Sequence, residues 1–307
     1  MDGHKKTKRV KTVKASPLEK ENRASASYKS SRKDNETIFL TRFFTRPLAY
    51  PVARIAAWMG LSPNTVTLLG GSAWIASIPL FSYGGWLLRS GNIREGWACL
   101  LTAATLWPIG VIMDVADGSL ARMTGKSSAS GFYLDFVFHM IFSPMFLASI
   151  GISIHLISGH VVFLILGLLS ICANWGPSYA AKNHVVCDAV AKQTLQPETL
   201  SSWERTTLLL DCFDAERHAA QRNSIFSKTK HLSQEVLFFP GQFTTFCIAT
   251  YTDLILWING CTELICLKTL FLTVSILAIV RVPFRVRREF CSMREHDNLF
   301  KSTHANS

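Results

Sequence analysis

A chain of 307 residues in which 49% are hydrophobic and only 17% charged lies outside the usual soluble range and has the length for several membrane spans. Its net charge of +11 is concentrated at the ends, in eleven Lys or Arg between Lys5 and Lys33 and a second cluster from Arg281 to Arg294. No zinc-finger, helix-turn-helix or RNA-binding pattern accompanies that charge, so a membrane surface and not a nucleic acid is the expected partner.

The segment 1–40 is Ser/Lys-rich, poor in large apolar residues and expected to be a disordered basic tail. Its first thirty residues lack an apolar run, so no cleaved secretory signal is expected and the N-terminus is placed in the cytosol. In 41–61, Arg42, Arg46 and Arg54 interrupt an apolar stripe of Phe43, Phe44, Ile55 and Trp58, the pattern of an amphipathic helix lying in the membrane interface. Ser62 then offers an N-cap and Pro63 a first helical residue, opening a span from Asn64 to about Tyr83.

Further runs of spanning length cover about Glu95 to Ala121, Gly131 to Leu156, Val161 to Tyr179, Val236 to Trp257 and Glu263 to Val280. The expected fold is therefore all-α and integral to the membrane, with six transmembrane helices over 62–285 and a basic tail at 286–307. A cytosolic segment, 182–234, separates spans four and five. Six spans put both termini on one side, and all but three (Arg89, Arg94 and Lys268) of the 32 Lys and Arg then fall on that side, the cytosolic one. The eight cysteines show no paired spacing and read as small apolar residues. Trp107, Trp175, Trp257 and most phenylalanines are expected in an interfacial belt or packed against lipid.

The stretch DVADGSLARMTGKSSASGFYLDFVFH, from Asp114 to His139, breaks this apolar pattern where span two returns to the cytosolic face and span three begins. Asp114 and Asp117 are three apart, Asp135 and His139 four apart, so each pair shares a helical face. Three unpaired intramembrane aspartates would cost on the order of 10 kcal/mol even on the mild insertion scale, so a compensating partner is required. Arg122 can offset one charge. Facing carboxylates suit hard divalent cations, which bridge readily to phosphate oxygens, and Gly118 and Ala121 permit a bulky ligand to approach. The bland alternative is snorkelling at a span end, with Asp135 favoured by a helix dipole, Asn64 a plain first-turn residue and His139 a hydrogen-bonded core histidine. A transporter is the rival class, since intramembrane charges also mark ion pathways; here, however, the acidic cluster occupies the end of one helix pair and does not recur in spans five and six.

At these residues the chain resembles the CDP-alcohol phosphatidyltransferase family, whose motif is D-x2-D-G-x2-A-R-x8-G-x3-D-x3-D. Asp114, Asp117, Gly118, Ala121, Arg122, Gly131 and Asp135 hold its positions, and His139 stands where the last aspartate would be. SPNTVTLLG, from Ser62 to Gly70, is similar to the opening of the family's first span. The resemblance implies transfer of a phosphoalcohol group from a CDP-linked alcohol donor to an acceptor hydroxyl with release of CMP. It further implies two Mg2+ or Mn2+ ions held by Asp114, Asp117 and Asp135, phosphate recognition by Arg122, room for the donor at Gly118 and Ala121, a cavity lined by Asn64 and Thr67, and a homodimer. His139 could serve as metal ligand or as the base that takes the acceptor's proton, because a neutral imidazole can do either. Its departure from the motif also leaves open a non-catalytic, nucleotide-binding relative.

Overall fold

In the computed structural model, residues 41–126, 128–173, 236–237 and 240–305 are described. The expected basic tail, segment 182–234, Trp175 and the last residues of the fourth run lie outside them. Among the described residues every regular element is helical. A π-helical turn, Thr41–Thr45, leads into α1 (Arg46–Trp58). The long helices α2 (Pro63–Arg89), α3 (Ile93–Thr124) and α4 (Ala129–Ser158) follow, then α5 (Val161–Ala173), α6 (Gly241–Ile258) and α7 (Ile265–Ala305).

Four of these have membrane-crossing length and apolarity: α2, α3, Tyr133–Ser158 of α4 and Ile265–Phe284 of α7. They make a multi-pass membrane protein. Spans one, two, three and six of the sequence reading coincide with them: the first two run a few residues longer, the third is shifted by two residues and the sixth ends four residues later. The fourth run appears as the shorter apolar helix α5, and the fifth as α6, whose Gln242 and Asp253 are both buried.

Local chemistry explains the boundaries. Ser62 caps α2 by accepting from the Thr65 N–H at 3.1 Å, with Pro63 in the first turn, as the sequence leads one to expect. Ser128 does the same for α4 through the Gly131 N–H at 3.1 Å. Gly125, at φ 66°, ends α3 in the left-handed region that glycine enters without penalty.

The bundle is held by an aromatic core. Trp74 stacks on Phe142 at 4.8 Å and donates from its indole N–H to the Trp107 carbonyl at 3.0 Å. Trp107 in turn donates to Ser77 Oγ at 3.1 Å, and Phe146 meets its ring edge-on. Phe243 brings the first turn of α6 against Trp74, Phe142 and Phe146. This corrects the lipid-facing expectation for Trp107 and for many of the phenylalanines: Trp107, Phe81, Phe142, Phe146, Phe243, Phe246 and Phe271 are fully buried between helices. The indole N–H groups of Trp74 and Trp107 each find an oxygen there, whereas that of Trp97 is buried without a hydrogen-bond partner. Trp257 is half-buried against the edge of Trp97. Gly110 permits the close contact, since a Cβ at that position would lie 2.0 Å from Trp74 Nε1.

A second, smaller cluster joins α1 to this bundle, with Ala49, Ala53 and Ala56 packed on Val66, Ala116 and Leu120. The small side chains let α1 lie close across the ends of α2 and α3. Its other side carries Leu48, Ile55 and Trp58, all exposed.

Candidate functional site

The site lies near the ends of α2, α3 and α4 that are close to Pro63, Thr124 and Ala129. A helical stripe from each element contributes. On α2 it is Thr67, Gly70, Gly71 and Trp74; on α3, Gly110, Asp114 and Asp117; on α4, Asp135 and Phe138, and these nine residues line one cavity. The spacings of three, four and seven residues place each set on one face. Gly70 and Gly71 keep that face narrow, bringing α2 against Met113 and the Phe138 ring.

His139 ties the two acidic helices together. Its Nε2 lies 3.1 Å from Asp114 Oδ1 and 3.0 Å from Asp135 Oδ1, and Trp74 packs 5.2 Å from its ring. The ligand-capable atoms of Asp114, Asp135 and His139 all fall within 4.8 Å of one another. With side-chain exposures of 20, 40 and 24%, the three are reachable from outside. Two carboxylate oxygens and an imidazole nitrogen at such separations suit a divalent cation of the hard or borderline kind.

Asp117 is arranged differently. It is buried, at 9% exposure, and Oδ2 accepts the Thr67 hydroxyl at 2.5 Å, a hydroxyl that also sits 3.1 Å from the Pro63 carbonyl. Thr67 thus fixes the carboxylate orientation from the first turns of α2.

Of the residues singled out in the sequence, Thr67, Asp114, Asp117 and Asp135 line this cavity, and His139 joins them through Asp114 and Asp135. Gly118 follows Asp117 directly on α3, with Ala121 and Arg122 about one turn further; a Cβ on Gly118 would sit 3.4 Å from the nearer Arg122 guanidinium nitrogen, so the arginine folds back over that glycine. Gly131 meets Asn64 instead, since a Cβ there would lie 2.7 Å from Asn64 Oδ1. Asn64 is held by donation from Nδ2 to Ser130 Oγ at 3.1 Å and by Ser128 Oγ, 3.4 Å from its Oδ1. The sequence reading passed over these two serines, and over Gly70, Gly71, Trp74, Gly110 and Phe138. The helical stripe starting at Thr67 was the available signal for the α2 members; the serines' partner, 64 and 66 positions away in sequence, left none.

Comparison with known proteins agrees with this layout. Residues 60–196 match the family model described as CDP-alcohol phosphatidyltransferase. A phosphatidylinositol phosphate synthase from Streptomyces avermitilis is 37% identical over 93 residues, 30% of this chain and 32% of that protein, so the chain matches about a third of that relative's length. The acidic residues of α3 and α4 converge inside the limits of that match, so it is over residues 60–196 that the chain is similar to the CDP-alcohol phosphatidyltransferase family.

Proposed function

We propose that the protein transfers a phosphatidyl-type group from a CDP-linked alcohol, with CDP-diacylglycerol the first candidate, to the hydroxyl of an alcohol, releasing CMP. The observation that carries this reading is the convergence of Asp114, Asp135 and His139 within 4.8 Å beside the Thr67-held Asp117. The name of the Streptomyces relative directs the acceptor search toward phosphorylated polyols.

In this mechanism the acceptor oxygen attacks the phosphorus attached to the donor alcohol. A new P–O bond forms, the diphosphate bridge breaks, and CMP leaves with the bridging oxygen. Asp114, Asp117, Asp135 and His139 offer the donor set for one or two Mg2+ or Mn2+ ions, which when bound supply positive charge against the diphosphate. Thr67 keeps Asp117 in its orientation. Arg122 adds cationic charge along α3 for a phosphate, while Gly118 and Ala121 leave that side of the helix low enough for the nucleotide. Asn64 and Gly131 hold the starts of α2 and α4 together beside the cavity. His139 has its Nε2 between two carboxylates, where it either completes the ligand set or accepts the acceptor's proton. We further place α1 in the interface, its Leu48, Ile55 and Trp58 toward lipid, and both termini with the site on the cytosolic side.

The test is CMP release from membranes containing the protein. One arm supplies CDP-diacylglycerol with a panel of alcohols and polyol phosphates, the other supplies soluble CDP-alcohols with lipid, each with and without Mg2+ or Mn2+. Metal-dependent CMP release in the first arm is the expected result; release confined to the second reverses donor and acceptor. Asp117→Ala and Asp114→Ala are expected to lose activity by orders of magnitude while membrane insertion persists, and near-normal metal-dependent release by Asp117→Ala would overturn the assignment.

A further inference from the structure

Helix α7 continues well beyond the part of it that can cross a bilayer. It runs from Ile265 to Ala305, but its apolar run is Ile265–Phe284, and 20 residues at about 1.5 Å each already cover the roughly 30 Å hydrocarbon thickness. Leu267, Phe271, Val274 and Ala278 bury one side of the spanning part in the bundle, whereas Ile276 and Val280 on the other side are half exposed. At 100° per residue that outward side does not end at Phe284. Phe284, Arg287 and Cys291 follow Val280 at four, seven and eleven positions, and Phe290 follows Ile276 at fourteen. Phe284, Val286 and Phe290 are 70, 53 and 68% exposed, and Arg287 and Cys291 are exposed among them.

These residues emerge at the same end of the bundle as the acidic site. The first turn of α6 packs by Phe243 against Trp74 and Phe142, beneath His139, and α6 then runs away from the site toward Ile258. From that far end α7 returns.

We propose that residues 284–291 form a docking surface for anionic phospholipid headgroups in the leaflet nearest the acidic site. Six residues past Phe284 correspond to about 9 Å of helix, close to the depth of the headgroup layer. Aromatic and aliphatic side chains on a face continuous with the lipid-facing side of a span belong at that depth, and an arginine among them meets phosphate. Arg287 is the charged residue described on this face, and the sequence 281–291 holds four arginines against Glu289 as its one acidic residue, so the segment complements negative lipid. A second copy fits less well, because identical faces would bring like charges together. Nothing in this inference requires the proposed reaction.

The native Cys291 supplies the test. The full-length protein is placed in nanodiscs of phosphatidylcholine alone or of phosphatidylcholine with phosphatidylserine. Alkylation of Cys291 by a membrane-impermeant maleimide is then followed on its own peptide by mass spectrometry. The expected result is several-fold slower labelling with phosphatidylserine, reversed by high salt. Arg287→Gln should weaken the lipid effect by about fivefold, while Arg287→Lys should retain it. Equal labelling of the wild-type protein in both lipids overturns the proposal. Slow labelling in both, with a dimeric mass, overturns it in favour of a second copy on this face.

Discussion

At Gly131 the absence of a single methyl group lets the start of α4 lie against α2. A Cβ at that position would come within 2.7 Å of Asn64 Oδ1, which accepts from Ser128 while the Nδ2 of the same side chain donates to Ser130. Gly131→Ala should therefore displace Asn64 and separate the two helix starts, reducing CMP release sharply with little change in thermal stability, because the contact is half-exposed and outside the aromatic core. His139 allows a finer test. If it takes the acceptor's proton, His139→Ala should lose about 10²- to 10⁴-fold in turnover, whereas His139→Asp, which restores the family pattern, should keep substantial activity. Metal affinity measured on both variants separates the roles: a ligand lost in the alanine variant weakens binding, and a base does not. Full activity of His139→Ala with unchanged metal affinity would leave this side chain as packing beside Trp74.

Among the elements, α6 and α7 are coupled by a device with no local sequence signature. Asp253, completely buried on α6, accepts the N–H groups of Cys266 and Leu267 at 2.9 and 2.8 Å, and so caps the first turn of α7 from a neighbouring helix. Removing it leaves two helix-start amides without an acceptor in a buried place. Asp253→Ala should destabilise the protein by about 1–3 kcal/mol, read as a lower thermal midpoint in detergent, and Asp253→Asn by less because one oxygen remains. An alanine variant with unchanged melting would show that water reaches those amides. Glu263, just before α7, is exposed, and its 2.9 Å contact with the Lys268 ammonium holds its carboxyl below the usual range. Such a group favours the folded state at neutral pH and loses that contribution on acidification, a small effect for an exposed pair. The same scale shows why Gly110 resists change: Gly110→Ala would drive a methyl group into the Trp74 indole, and overpacking of this sort typically costs about 1–3 kcal/mol.

Across the whole molecule, the direction of each long helix fixes which connections share a side. The turn Ser90–Asn92 joins α2 to α3 at one end, and 32 residues of α3, about 48 Å, carry the chain to the α3–α4 connection at the other. The extension of α7 leaves at that second end. In sealed vesicles a cysteine at Lys126 and the native Cys291 are therefore expected to react with an impermeant maleimide from the same side, and one at Asn92 from the opposite side. Labelling of the Lys126 and Cys291 positions from opposite sides would break this arrangement of α3 and α7.

The sequence by itself determined the helical, membrane-embedded class, the Ser62 cap, the location of four spans and the set Asp114, Asp117, Asp135 and His139. Those properties are local or periodic: a cap acts over three residues, an apolar run over about twenty, and an i, i+3 or i, i+4 pair lies on one face whatever surrounds it. Only the tertiary structure decided which partners these groups take. It gave Asp117 to Thr67 while His139 bridges Asp114 and Asp135, put Trp107 in the core instead of at the lipid, and closed Asn64 with two serines. An aromatic side chain is equally suited to lipid and to a helical core, both being apolar, so composition carries no information about which of the two it faces. That choice follows from helix crossings, and these depend on close approaches at Gly70, Gly71 and Gly110 between residues far apart in the chain.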